Sequence, residues 1–557
     1  MQKKNYGARR LRHGIAVTLA AGLVAGTAAT AGAVPAPPRP PRLPARPAPT
    51  TTVPTCAQPG SGYGRMFANL PAATWETSAL DALSRSVMSP AGPLPVPGTP
   101  DAEENRAIAA GYTYFGQFVD HDLTKDDRPT VLLGTIDVST LTNGRTPQLD
   151  LDSVYGKGPT GSPQLYSSDQ VHLLVGAPLT GSPDKGARDL PRDPASGMAL
   201  VGDLRNDENR MVAAVHSAFL RFHNQTVDQL WAANPTWTAT QVLAQARSTV
   251  VRTYQQIVVE DFLPTIVNRP TVDAVVRATP RGWTTSLRWY STCQQMPVEF
   301  AGAAYRFGHS MVRSGYRLNT STPVLPVFSG TFVPGSDVSG FSPSPSSSAV
   351  DWNLFLPVAL TTPAALRPAP PRNPAATPGP GAGVQWAYRP DVALTSSLGL
   401  LPLPPTDAGS PSLALRNLLR GRQLGLPSGQ AVARAMGVTP LRDDQILVGA
   451  ATGTSASTVA LSAVDPSFAG SAPLWAYVLA EATAEAYPVS GGKIVGPQKS
   501  PFRLGPVGGR IVVETVVGLL ASDPTSILHQ PAPTPVRGQR VQPHLLRELL
   551  DQVASQP

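Results

Sequence analysis

The clearest regularity along the chain is helical. In ENRMVAAVHSAFLRFHNQTVDQLW, residues 208–231, the apolar positions Val212, Val215, Phe219, Phe222, Val227 and Leu230 recur mostly three or four apart, which predicts an amphipathic helix. VEFAGAAYRFGHSMV, residues 298–312, predicts a second helix, with small residues that let a neighbour approach closely. SLALRNLLRGRQLGLPSGQAVARAMG, residues 412–437, predicts two helices divided at Gly425-Leu426-Pro427. RIVVETVVGLLAS, residues 510–522, is apolar all round and reads as a buried helix or strand. Alternation of the strand type is scarce and no internal repeat is present. The expected class is therefore mainly α, a large helical domain with long irregular loops and little β.

Composition explains the loops. The chain has 557 residues, of which 61 are proline, a residue that breaks helices and central strands. PAALRPAPPRNPAATPGPGAG, residues 363–383, reads as a surface loop. At 41% hydrophobic and 15% charged residues, the chain can bury a large core.

Charge and the first residues go together. Five of the cations behind the net charge of +8 (Lys3, Lys4, Arg9, Arg10, Arg12) lie before residue 14, so +3 remains for the rest. A near-neutral body argues against nucleic-acid binding. The basic head, the apolar small-residue run after it and Ala31-Gly32-Ala33 read as an export signal over residues 1–33, cleaved before Val34. The run is poor in Leu and Ile, which disfavours a retained anchor, and no later stretch is long and apolar enough to span a bilayer. Arg9-Arg10 leaves both the general and the twin-arginine export route open. A polyproline-type linker fills residues 34–55, and one domain is expected over 56–557. Cys56 and Cys293 either pair as a disulfide or stay free.

Of eight histidines, His13 leaves with the signal. His529 and His544 sit in a polar, proline-flanked tail, and His172 has no obvious partner. His216 and His223 fall on the apolar side of the 208–231 helix, where a histidine is more often a hydrogen-bonded core residue than a ligand. His121, held between Asp120 and Asp122, reads as metal ligand, core residue or catalytic base; no HExxH or cysteine pair accompanies it. His309 follows Gly308 on a predicted helix, so a flat cofactor could lie against the backbone with this histidine as axial ligand. GPVGG, residues 505–509, lacks the Lys-Ser/Thr of a phosphate loop and reads as a turn leading into a helix.

FGQFVDHDLT, GDLRNDENRMVAAVHSAFLRFHN and EFAGAAYRFGHSMV, in this order and spacing, resemble three blocks of the animal-type haem peroxidases of the peroxidase–cyclooxygenase superfamily. YGRMFANLP, RNLLRGRQLGLPSGQAV and GPVGGRIVVETVVGLL are similar to further blocks of its bacterial secreted branch, so the resemblance spans roughly residues 60–525. It implies haem b, with His309 as proximal iron ligand and Asn417 accepting the other N–H of that imidazole. His121 and Arg205 match the distal acid–base pair, and Gln117 a distal glutamine near where halide would bind. Asp120 and Glu208 match carboxylates that can be esterified to haem methyl groups, and Arg420 matches an arginine that pairs with a propionate. For Ca²⁺ the resemblance implies Asp122, Thr146, Asp150 and Asp152, with Gln148 giving its carbonyl.

The chemistry suits these types. A neutral imidazole can take and return a proton, and a fixed guanidinium stabilises developing negative charge. Calcium prefers several oxygen ligands from flexible loops. Each role has a plainer competitor: Asp120 and Glu208 as free carboxylates, Arg205 as partner of Asp203, Asp207 or Glu208, Asp150 and Asp152 as solvated loop acids, and Asn417 as a helix cap. Asn209 follows Glu208 where some relatives carry a methionine linked to haem, which favours bromide, iodide, thiocyanate and phenols over chloride. In the fatty-acid oxygenating branch a tyrosine stands three residues before the proximal histidine. Here that residue is Arg306, and Tyr305 lies one further back, rotated by roughly 100°. The expectation is a secreted haem peroxidase that uses H₂O₂ and small anionic or phenolic donors, with the oligomeric state left open. The alternatives are a fatty-acid dioxygenase of the same fold, an extracellular adhesion protein on the same scaffold, or a non-haem metal enzyme built on Asp-His-Asp.

Overall fold

Two helices that are apolar on every side mark the centre of the molecule. In a computed structural model, α7 (Leu474–Ala486) and α8 (Pro506–Ser522) pack together and bury almost every side chain. The structure describes residues 62–96, 99, 101–126, 134–279, 282–291, 295–329, 335–357, 383–401, 409–453, 457–530 and 543–555. The export signal, the proline-rich linker, Cys56, Cys293 and nearly all of the 363–383 loop lie outside these residues. Before α7 come α1 (Thr77–Val87), α2 (Ala110–Leu123), α3 (Arg210–Ala233), α4 (Ala239–Ile257), α5 (Leu413–Gln423) and α6 (Gly429–Met436). A final helix, α9 (Leu546–Ala554), packs on α3. Strands among the described residues form only two-stranded sheets, as the mainly α expectation requires.

The ends of the helices are set locally. Asn209 caps α3 by accepting the Val212 N–H at 2.9 Å, and Ser428 caps α6 through the Ala431 N–H at 3.3 Å. Pro506 opens α8, where a missing N–H costs nothing. The buried Glu481 of α7 then accepts the Val507 and Gly508 N–H groups at 2.9 and 3.1 Å, joining the two central helices. Gly505–Gly509 is thus the start of a helix.

One predicted helix is not continuous. Residues 298–312 divide into a short α-turn, Val298–Gly302, and a 3₁₀ segment, Ala304–His309, with Ala303 out of helical geometry at φ −143°, ψ −73°. The small residues allow the break: a Cβ on Gly302 would stand 2.6 Å from Leu424 Cδ1, so the backbone passes tightly against the end of α5. The Arg306 guanidinium donates from Nε back to the Ala301 carbonyl at 2.8 Å and holds the turn. His309 therefore sits at the end of a tight turn rather than inside a long helix.

Candidate active site

Four pieces of chain meet at the site: α2, the turn Leu204–Asp207 leading into α3, the 304–309 segment, and α5. Helix α2 packs against α3 and against the 304–309 segment, where the Tyr305 hydroxyl donates to the Gly116 carbonyl at 3.2 Å. This brings three distant blocks of sequence to one place.

On the α2 side, His121 is buried and its Nδ1 lies 2.9 Å from Oδ1 of Asn206. Since an amide oxygen only accepts, Nδ1 carries the hydrogen and Nε2 keeps its lone pair. Burial, then the Arg205 charge, pushes the His121 pKa down to about 3, so the ring is neutral. Its Nε2 is 3.9 Å from Glu208 Oε2. The Arg205 guanidinium donates to both oxygens of Asp203 (3.1 and 2.8 Å) and to the carbonyls of His121 (3.3 Å) and Thr124 (2.6 Å). Its Nη1 has no partner among the described residues. Arg205 is thus fixed against Asp203 and still offers a donor edge, while Asp207 goes to Arg192 instead. Gln117 bridges two neighbours, donating to Glu208 at 2.9 Å and accepting from the Asn209 amide at 2.9 Å. Burial raises the Asp120 and Glu208 carboxyls, Glu208 to about 7, with Arg205 opposing in both cases. The Thr124 hydroxyl donates to Asp120 at 3.0 Å.

On the other side, His309 is half-buried and its pKa falls to about 3, through burial and then the Arg306 charge. Asn417 is buried inside α5, not a cap, and faces His309 Nδ1 at 2.9 Å. The direction of this bond is the reverse of the expected one. Arg306 Nη1 donates to the Asn417 oxygen at 2.9 Å, which leaves the amide nitrogen to face the imidazole. Arg420, expected to be free for a propionate, forms an ion pair with Asp126 and donates to Gln423 at 2.6 Å. The charges of both sides interact: Asp120 feels Arg205 and Arg306 together. Tyr63, buried beside the same three groups and Arg420, has its phenol raised to about 12, mainly by burial.

The acidic loop is brought together as well. Ligand atoms of Asp122, Asp150 and Asp152 lie within 4.8 Å of one another. The Thr146 hydroxyl donates to Asp150 at 2.7 Å and its N–H to Asp152 at 3.0 Å, and Gln148 sits in the turn with its N–H on the Thr146 carbonyl at 2.9 Å. Leu149 and Leu151 adopt left-handed backbone, φ 51° and 58°, which doubles the loop back and aims the carboxylates together. Burial, then Asp152 and Asp150, pushes Asp122 well above the usual carboxylate range, and burial raises Asp152 to about 6.

Several side chains here escaped the sequence reading. Asn206 and Arg306 each fix a named residue, and Tyr63 lies among them; Asp203, by contrast, is the Arg205 partner that the sequence offered. His172, read as partnerless, contacts Asp169 at 2.5 Å and Asp228 at 3.2 Å. His223 is a satisfied core residue, on the Val171 carbonyl at 2.9 Å and the Tyr155 hydroxyl at 3.1 Å.

The mainly helical domain thus brings a neutral imidazole and a fixed guanidinium to one region with a second histidine bonded to an amide. The comparisons support a place in the peroxidase–cyclooxygenase superfamily. The animal haem peroxidase family matches residues 132–329. Rat thyroid peroxidase is 33% identical over 196 residues, which are 32% of this chain and 20% of that protein. The chain spans a fifth or less of the first curated relatives it matches. Among solved structures, peroxidase A of Dictyostelium discoideum superposes with a TM-score of 0.54 at 17% identity, covering 83% of this chain and 88% of that one. Fatty acid alpha-dioxygenase of Arabidopsis thaliana gives 0.52 at 14% identity, covering 89% and 76%. These two likenesses concern the fold.

Proposed function

We propose that the chain is an exported, calcium-holding haem peroxidase of the bacterial secreted type, with one catalytic domain over residues 56–557, that reduces H₂O₂ and oxidises halides, thiocyanate or small phenols. The observation that carries this reading is the neutral His121, whose Nε2 makes no hydrogen bond among the described residues, beside Arg205, whose Nη1 has no partner among them. The residues fit haem. His309 is neutral and partly open, and a Cβ built on the adjacent Gly308 would meet nothing within 4 Å, which leaves room for a flat group.

His309 would hold the haem iron through Nε2, and the haem would supply the redox chemistry of peroxide reduction and donor oxidation. Ligation through Nε2 needs the hydrogen on Nδ1. Asn417 would then turn its oxygen to the ring, and Arg306 would be released for a carboxylate. His121 Nε2 takes a proton from one peroxide oxygen and returns it to the other, while Arg205 stabilises the charge on the departing oxygen. Gln117 holds Glu208 and Asn209 in place beside that oxygen's path. Asp120 and Glu208, both more easily protonated than usual, are the carboxyls for ester attachment. Asp122, Thr146, Gln148, Asp150 and Asp152 would hold Ca²⁺; three converging carboxylates without a cation repel one another, and a divalent ion would offset that cost.

The test is the absorption spectrum of the haem-supplied full chain, with and without His309→Ala and after acid–organic extraction. A haem band lost in His309→Ala supports axial ligation, and colour surviving extraction supports the esters. No haem band in folded wild type would sink the reading. Product analysis with a polyunsaturated fatty acid addresses the dioxygenase alternative, in which Tyr305, now bonded to the Gly116 carbonyl, would have to serve.

A further inference from the structure

His121 is not fixed by its own helix. Its Nδ1 meets Oδ1 of Asn206 at 2.9 Å, and the other end of that amide, Nδ2, lies 3.0 Å from Nδ1 of His216. Asn206 and His216 are fully buried, and His121 nearly so. No water competes for these bonds, and an unmade one would carry the full desolvation cost. An amide has one end that only accepts and one that only donates. Each orientation of the amide therefore fixes one pattern of hydrogens for all three side chains, and the one found here has Oδ1 toward His121 and Nδ2 toward His216. With the oxygen on His121, that ring carries hydrogen on Nδ1 and its Nε2 is bare. With the amide nitrogen on His216, that ring is bare at Nδ1 and carries its hydrogen on Nε2, an atom that is buried with no partner. Phe118, one α2 turn before His121, stands perpendicular to the His216 ring with centroids 6.0 Å apart and stacks on Phe219. The His216 ring is thus packed edge-on against Phe118 as well as bonded to Asn206.

We propose that Asn206, backed by His216, is the positioning residue that holds His121 in the Nδ1–H tautomer and so keeps the Nε2 lone pair facing the site. The two imidazoles and the amide form a buried relay behind the acid–base residue. Its catalytic consequence rests on the peroxidase reading, but the tautomer itself does not. If the amide were lost, no described side chain would hold the hydrogen on Nδ1, the Glu208 carboxyl 3.9 Å from Nε2 would draw it there, and Nε2 would be blocked for much of the time.

The direct test is nitrogen-15 NMR of the full chain labelled at histidine, with the His121 and His216 signals assigned by their loss in His121→Gln and His216→Phe. The expected result is a pyrrole-like Nδ1 and pyridine-like Nε2 for His121, and the opposite for His216. Asn206→Leu should add the Nε2–H form of His121. Asn206→Asp accepts from both rings, so His121 should keep its tautomer while His216 switches to Nδ1–H. His121 found as Nε2–H in wild type would overturn the proposal, as would unchanged signals in Asn206→Leu. Circular dichroism melting confirms that each variant is folded, and the aspartate variant serves where the leucine variant is not. In haem-loaded protein, Asn206→Leu should slow the peroxide reaction by about tenfold or more, a part of the 10²–10⁴ that positioned acid–base groups supply. The inferred tautomers in a chain that takes no haem would uphold this proposal and sink the peroxidase reading. Rapid peroxide chemistry unaffected by Asn206→Leu would do the reverse.

Discussion

Calcium should change the stability of this protein, and one substitution should reverse the sign of a familiar effect. Take Asp122→Asn, which keeps the shape of the side chain and removes its charge. With ligand oxygens no more than 4.8 Å apart, each carboxylate pair repels by roughly 3.5 kcal/mol at an effective dielectric constant of about 20. Arg145 at 3.3 Å from Asp152 and Arg247 at 3.7 Å from Asp150 offset part of this, and neither arginine is paired with Asp122. Removing the charge of Asp122 abolishes two of the three repulsions wherever that carboxyl is ionised, although its raised pKa already relieves part of them by protonation. Without calcium the variant should therefore melt at or above the wild-type temperature, although a buried carboxylate that accepts the Leu151 N–H at 3.2 Å has been replaced. With calcium the order should invert. At a free concentration of about 100 times Kd the ion stabilises wild type by about 2.7 kcal/mol, a shift of a few degrees in so large a domain. The variant, short of one charged ligand, should gain little. The assay is thermal denaturation of both proteins in excess EGTA and in millimolar Ca²⁺. Wild-type melting that ignores calcium, together with a variant destabilised equally in both buffers, would refute the reasoning and return Asp150 and Asp152 to solvated loop acids.

Other parts of the fold make their own predictions. Gly429→Ala puts a Cβ 2.0 Å from Tyr477 Cγ at the start of α6; the expected loss exceeds the roughly 1–3 kcal/mol of ordinary overpacking and is read by urea denaturation. Glu514 is fully buried and accepts the Arg288, Trp289 and Tyr290 N–H groups at 3.1, 2.5 and 2.9 Å; Glu514→Ala should cost at least about 3 kcal/mol by the same assay, and a near-neutral result would show that the 288–290 turn is held by other contacts. His544, bonded to Glu260 at 2.9 Å, has its pKa raised by that hydrogen bond, against desolvation. A raised folded pKa means that the stabilisation is complete below the unfolded value and is lost as pH rises through the folded one. Proteolytic nicking near α9 should accordingly increase above neutral pH in wild type, and His544→Gln should remove that dependence.

How much of this was legible follows from the range of each interaction. Helix α3 and the pair α5 and α6 could be read because their apolar spacing and the Gly-Leu-Pro break act within a few residues. The 510–522 run was ambiguous because burial on all sides erases periodicity, and the neighbour that decides it, Glu481 at the first turn of α8, lies far away in sequence. The break at Ala303 was not legible: AGAA is an acceptable helical run, and only the approach of Leu424 to Gly302 shows why the chain turns there. The same holds for side chains. His121, Arg205, His309 and Asn417 could be named from motif order, and the structure brings His309 to Asn417 and Arg205 to the His121 carbonyl. The sense of the Asn417 bond depends on Arg306, and the partner of Arg420 is Asp126; neither competitor leaves a trace in local pattern.

The triplet Asp120-His121-Asp122 shows why a helix can give three neighbours three tasks. Successive residues on a helix point roughly 100° apart, so three in a row cover most of its circumference. Asp120 turns toward Thr124 and into the field of Arg205 and Arg306. His121 turns toward Asn206, and Asp122 toward Leu151 and Ser153 of the acidic loop. A flexible loop could carry the same residues, but each would then need its own support to keep its direction. Here a single buried element, anchored by Phe115, Phe118 and Val119 with no exposed surface, fixes all three at once. The arrangement has a consequence for any cation bound at the loop. Because Asp122 and His121 share one helical turn, whatever tightens the loop around Asp122 also fixes the height of His121 against Asn206. Occupancy of the loop by a cation and the geometry of His121 should thus be coupled through one backbone segment, without any contact between the ion and the imidazole.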